Sequence, residues 1–192
     1  EVLKHPNNEI EKLLFEQEEG IVAVGYYQGL VTALQTLTWV ERYFATASNL
    51  LFSLTKLKKE IADSFILVFL PWYPQTEAST ETRTGAIKHL VQEYGDECWD
   101  VVFKLMPNQT HSGTEIHPPK YIEGCFEKVV VLTGEYWTVS AYYLDLLISI
   151  ARINHKRIPQ IIELLDDVTP PMFKKIIDLI IEVSVILDDD ND

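Results

Sequence analysis

The sequence predicts an all-α fold built of consecutive antiparallel helix pairs, a slice of a HEAT- or armadillo-like α-solenoid. Three observations predict it. Apolar residues recur at i, i+3, i+4 and i+7 along most of the 192 residues. Prolines and glycines punctuate those runs, with mostly short connections between them. Strong pairs of alternating strands are absent. The units 79–106 and 154–185 each read as a helix–turn–helix of about thirty residues, a length usual for helical repeats, although no residue-level repeat links them.

In order, Asn8 with Glu11 resembles a capping box before Ile10, Leu13 and Leu14, which predicts a first helix over 8–18, stopped near Gly20. Residues 21–38 carry Tyr26, Tyr27, Leu30, Ala33, Leu34 and Leu37. Gly25 and Gly29 lie four apart there, a spacing expected to mark close helix packing. Residues 39–59 give the stripe Tyr43, Ala47, Leu50, Leu51, Leu54 and Leu57, ending in Lys56, Lys58 and Lys59, where cations suit a helix C-terminus. The run 64–70 has a strand-like composition but stands alone before a proline, so it reads as a buried helical turn or an extended connector.

The chain is organised around FILVFLPWYPQTEASTETRT, residues 65–84. Pro71 and Pro74 remove two backbone donors and disfavour helix between them, which predicts a corner. Trp72 and Tyr73 are expected to pin that corner against neighbouring helices. Ser79 is a good N-cap with Glu81 in the first turn, and Ile87, Leu90, Val91 and Tyr94 form one face up to Gly95. Asp96 is then expected to cap a short helix carrying Cys98, Trp99, Val101, Val102, Leu105 and Met106, stopped at Pro107.

A polar loop spans 108–120, and 121–132 is apolar with no clear period, Val129, Val130 and Val131 leaving a strand open. Helical pattern returns after Gly134 with Trp137, Ala141, Leu144, Leu147, Ile148 and Ala151. Asn154 and Pro159 announce a short helix with Ile161, Ile162, Leu164 and Leu165. Thr169-Pro170 reads as an N-cap followed by proline at the first helical position, leading into Phe173, Ile176, Ile177, Ile180 and Val183. These boundaries make 1–187 one helical-repeat domain with sub-units near 8–60, 65–107 and 121–187, followed by an acidic tail at 188–192.

Composition narrows the partners. With 47% hydrophobic residues the chain can bury a sizeable core. A formal net charge of −13 argues against nucleic acid, which needs a basic face, and against an anionic membrane surface. No apolar run is long enough to span a bilayer and no signal peptide opens the chain, so the cytoplasm is expected. Cys98 and Cys125 read as buried free thiols, with a disulfide or a reactive thiol as alternatives. A first residue that is not Met points to an excised piece of a longer polypeptide.

Candidate chemistry is sparse. His111, Glu115 and His117 in HSGTEIH could form part of a metal site, but a usable one needs a further well-placed ligand and the loop offers no other His or Cys. Ser112-Gly113 near His111 lacks the strand–turn–helix elbow of a nucleophile. Asp166-Asp167 are adjacent at a helix end, where two carboxylates diverge, and belong more naturally to a turn before Thr169. No phosphate-binding loop occurs. The sequence therefore assigns no catalytic, cofactor-binding or metal residue and implies no cofactor. Trp39, Trp72, Trp99 and Trp137 read as core packing, with a partner-binding aromatic groove as the alternative.

Four runs resemble a family of large multidomain bacterial proteins: ALQTLTWVERYFATASNLLFSL, FLPWYPQTEASTETRTGAIKHL, CWDVVFKLMPNQTHSGTEIHPPKY, and GEYWTVSAYYLDLLISIA with IIELLDDVTPP. They cover roughly residues 30–187. Those proteins are similar to antiphage defence proteins of the STAND NTPase type, with an effector and often a nucleotide-binding module. The resemblance implies a non-catalytic helical-repeat region that acts as sensor or scaffold, and it carries over no catalytic residue. The family pattern has Trp-Arg soon after the second proline of the loop, where this chain has Tyr121-Ile122. The expected function is thus protein interaction with a partner or with flanking domains of the same polypeptide. The alternatives are a metal-assisted hydrolase using the 111–117 loop and an inert spacer.

Overall fold

A computed structural model of the chain describes residues 26–107, 116, 118 and 130–189. Among the described residues every regular element is helical and none is a strand, so the all-α class holds. The helices are α1 (Tyr26–Thr38), α2 (Glu41–Leu57), α3 (Ile61–Phe69), α4 (Thr80–Tyr94), α5 (Trp99–Phe103), α6 (Thr133–Ile153), α7 (Ile158–Ile162) and α8 (Pro170–Asp189). Short 3₁₀ turns occupy Gly95–Cys98, His155–Arg157 and Leu165–Asp167. The chain divides into two compact units, and the division falls inside α4, between Ala86 and Ile87. The expected first helix over 8–18 and the ambiguous 121–129 stretch lie outside the described residues.

In the first unit, α1, α2 and α3 pack on one another. Val31 and Leu34 of α1 and Phe44, Ala47, Leu51, Phe52 and Leu54 of α2 are buried. The run left open between turn and connector is a helix, α3, in which every residue from Phe65 to Phe69 is buried. Burial all round removes any amphipathic period, which is why the sequence reads as strand-like there. Four phenylalanine rings form the centre. Phe44 meets Phe69 edge-on at 5.3 Å, Phe65 lies 4.8 Å from Phe69, and Phe52 lies 5.6 Å from Phe65.

The proline corner follows α3, but its anchors differ from those expected. Trp72 stays 39% exposed and Tyr73 is half-buried, whereas Pro71, Pro74, Gln75 and Thr76 are buried. Polar bonds also pin it. Thr76 Oγ1 donates to the Thr38 carbonyl, the Glu77 amide donates to the Trp39 carbonyl at 3.3 Å, and the Ile116 amide donates to Gln75 Oε1. A buried segment without helix or strand has to place its polar groups this way. Gly29 also departs from expectation: it is exposed, and a Cβ there would meet nothing within 4 Å. Its spacing from Gly25 therefore marks no close helix approach at Gly29.

In the second unit α6 contacts α5, α7 and α8. It buries Val139, Tyr143, Leu144, Leu147, Ile150 and Ala151. Trp99, Val102, Leu105 and Met106 are fully buried, as are Ile176 and Leu179 of α8. α4 stops at Gly95, whose φ of +56° is the left-handed conformation that ends helices at little cost only in glycine. Asn154 behaves as predicted, its Oδ1 accepting from the Lys156 amide at 3.3 Å to start the 3₁₀ turn before α7. Pro170 opens α8 as expected, and the Phe173 amide bonds the Thr169 carbonyl at 2.8 Å.

Candidate functional site

Besides the proline corner, polar side chains cluster at four places among the described residues. At the start of α4, Ser79 is the predicted cap: its Oγ accepts from the Thr82 amide at 3.1 Å. The same hydroxyl donates to Glu41 Oε1 at 2.8 Å, and Thr82 Oγ1 donates to that oxygen at 2.7 Å. Those hydroxyl bonds, Thr82 first, hold the Glu41 carboxyl below its ordinary range. Glu41 thus ties the start of α2 to the start of α4.

The second cluster is the one the sequence misassigns. Asp96 does not cap α5, which starts after Cys98 with no side-chain cap. Its carboxylate instead takes Arg157 Nε at 2.9 Å and Nη2 at 2.8 Å, and Asn154 Nδ2 at 3.0 Å. A bidentate guanidinium with a further amide offers more than one backbone amide would. The Arg157 bonds are the main reason the Asp96 carboxyl lies below its ordinary value, and they raise Arg157 in turn. The guanidinium also sits 5.1 Å from the centre of the Trp99 ring. Partners 58 and 61 residues apart leave no local signal in a sequence.

The third and fourth are ion pairs that clasp α6 to α8. Lys175 Nζ lies 2.7 Å from Asp145 Oδ1, and Arg152 bonds Glu182 Oε2 through Nε at 3.0 Å and Nη2 at 2.8 Å. Both are half-exposed, so each contributes little to stability.

Chemically, these groups are positioned for packing. Glu41 and Asp96 are pushed down, while burial pushes the Tyr136 and Tyr142 phenols up, with Asp145 adding to the second. Both directions lead away from neutral pH, opposite to the tuning of a general acid or base. Among the described residues no three His, Cys, Asp or Glu side chains come together to hold a metal ion. His111, Ser112, Gly113, Glu115, His117 and Cys125 lie outside the described residues. Cys98 is buried. Asp166 and Asp167 sit in the 3₁₀ turn Leu165–Asp167, as expected for turn residues. Of the tryptophans, Trp99 is fully buried, Trp39 and Trp137 are half-buried, and Trp72 is exposed.

Sequence reasoning also missed what α8 leaves outside. Phe173, Ile176, Ile177, Ile180 and Val183 carry the helical pattern of the last helix, but only Ile176 and Val183 of them are buried. Phe173, Ile181 and Val185 are exposed by 45%, 57% and 56%. No helix among the described residues is long and apolar enough to cross a membrane. Compared with family models, curated proteins and solved structures, the chain matches none.

Proposed function

We propose that this chain is a non-catalytic helical interaction region of a larger bacterial protein, a slice of α-solenoid that senses or scaffolds a protein partner. The observation that carries the reading is the use of its polar side chains. The four described clusters tie helix to helix or loop, and each resolved carboxyl or phenol shift leads away from neutrality. What remains outside is broad surface. Glu60, Glu77, Glu81, Glu163 and Asp166 are exposed, and so are the apolar Leu37, Tyr43 and Trp72.

A net charge of −13 on such a surface favours a basic protein face, because complementary potentials speed encounter and reject like-charged partners. Stacked helix pairs bury one stripe each and move as blocks, so a partner spanning several could relay its binding to an attached effector. The resemblance to antiphage defence proteins supports that setting, with the cytoplasm as the compartment. The test is affinity capture from a bacterial lysate, with partners identified by mass spectrometry. Charge reversal to lysine at Glu60, Glu77, Glu81, Glu163 and Asp166 should lower capture at least tenfold. Unchanged capture by the reversed chain, or capture of nothing by the native one, overturns the reading.

A further inference from the structure

The outer face of α8 is self-complementary, and we infer that it pairs with the same helix of a second copy, antiparallel about Ile181. α8 carries two apolar faces. Met172, Ile176, Leu179 and Val183 are buried within its own unit. A second stripe, Phe173, Ile177, Ile181 and Val185, advances four residues at a time and faces water, Ile177 half-buried and the other three exposed. A helix apolar on two faces within a monomer is short of one neighbour.

The charges say which neighbour. Lys174 lies near the start of α8 and is exposed, while positions 188 and 189 in its last turn are aspartates. That order opposes the helix's own dipole, which favours acids at the start and cations at the end. It suits an antiparallel copy. Counted from Ile181, Lys174 is seven positions back and Asp188 seven forward, and Ile177 and Val185 are four back and four forward. A two-fold axis at Ile181 sets each lysine position against an aspartate position, each Ile177 against a Val185, and Ile181 against itself. Isologous pairing requires that residue i meet j while j meets i, and the positions 174/188, 177/185 and 181/181 satisfy it, while Phe173, opposite position 189, lies at the end of the match. The antiparallel arrangement also opposes the two dipoles.

This inference rests on α8 alone and holds or fails independently of the acidic-surface reading above. Sedimentation velocity on the full chain, from micromolar to hundreds of micromolar, tests it. The native chain is expected to approach twice the monomer mass as concentration rises. Ile181→Asp, at a position exposed enough to leave the fold intact by circular dichroism, should weaken association more than tenfold. Lys174→Asp and Asp188→Lys should each weaken it several-fold, and the double swap Lys174→Asp/Asp188→Lys should restore it. A native chain that stays monomeric throughout overturns the inference. So does association that ignores Ile181→Asp, or a double swap no better than either single change.

Discussion

Removing both sides of the Asp96–Arg157 pair, singly and together, isolates a long-range polar contact of the second unit that no local pattern announces. The pair is bidentate at 2.9 and 2.8 Å, with the Arg157 side chain 26% and the Asp96 side chain 44% exposed. Charge-assisted geometry of that kind exceeds an ordinary surface pair, and solvent screening at these exposures reduces it. The expected coupling is about 1–2 kcal/mol near pH 7. The stacking of Arg157 over Trp99 cancels in a cycle of Asp96→Ala, Arg157→Ala and the double variant, because both arms that remove Arg157 lose it. Urea unfolding followed by far-ultraviolet circular dichroism supplies the four free energies.

The same cycle has a defined pH dependence. Arg157 holds the Asp96 carboxyl below its ordinary 3.8, so the unfolded chain binds the proton more readily than the folded one. The contribution is complete above the ordinary value and is lost as pH falls through the lower, folded-state value. The coupling should therefore be intact at about pH 6 and shrink only as pH falls below 3.8 through the folded-state value. A coupling below about 0.3 kcal/mol near neutrality, or one unchanged in acid, would refute the assignment of Asp96 as a charged clasp.

Three further substitutions have definite outcomes. Phe65→Ala empties a fully buried site between the Phe52 and Phe69 rings and should cost about 4 kcal/mol, read as a fall in the urea midpoint; a loss under about 1 kcal/mol would mean the ring cluster is not a packed core. Ser79→Ala removes the cap on the Thr82 amide and a donor to Glu41, and should destabilise by about 1 kcal/mol, with Ser79→Thr largely retaining the native midpoint. Gly95→Ala meets no neighbour within 4 Å, so its expected cost of about 1 kcal/mol comes from the +56° φ alone, and a neutral result would show that the end of α4 readjusts.

Helix was legible wherever one face of an element meets water and the other meets the core. α2, α4 and α6 carry that contrast, and local signals marked several ends: Ser79 and Gly95 those of α4, Asn154 the end of α6 and Pro170 the start of α8. The second half of α3 lacked the contrast because every residue from Phe65 to Phe69 is buried. The role of Asp96 was misread for a different reason: a carboxylate can serve an amide two residues away or a guanidinium 61 residues away, and only the fold brings the stronger partner within reach. The exposed stripe of α8 was hidden because isoleucines occur on both its faces.

By itself the sequence determined the all-α class and many helix ends, since periodicity, capping hydroxyls, prolines and glycines act over one or two turns of chain. It also determined a strongly acidic balance, which is a sum over residues and needs no geometry. Only the tertiary structure decided which stripe of α8 is covered, which acid Arg157 grips, and that the proline corner is held by Thr76 and Gln75 while Trp72 faces water. Those outcomes depend on contacts between residues far apart in the chain, where proximity is set by packing and not by spacing.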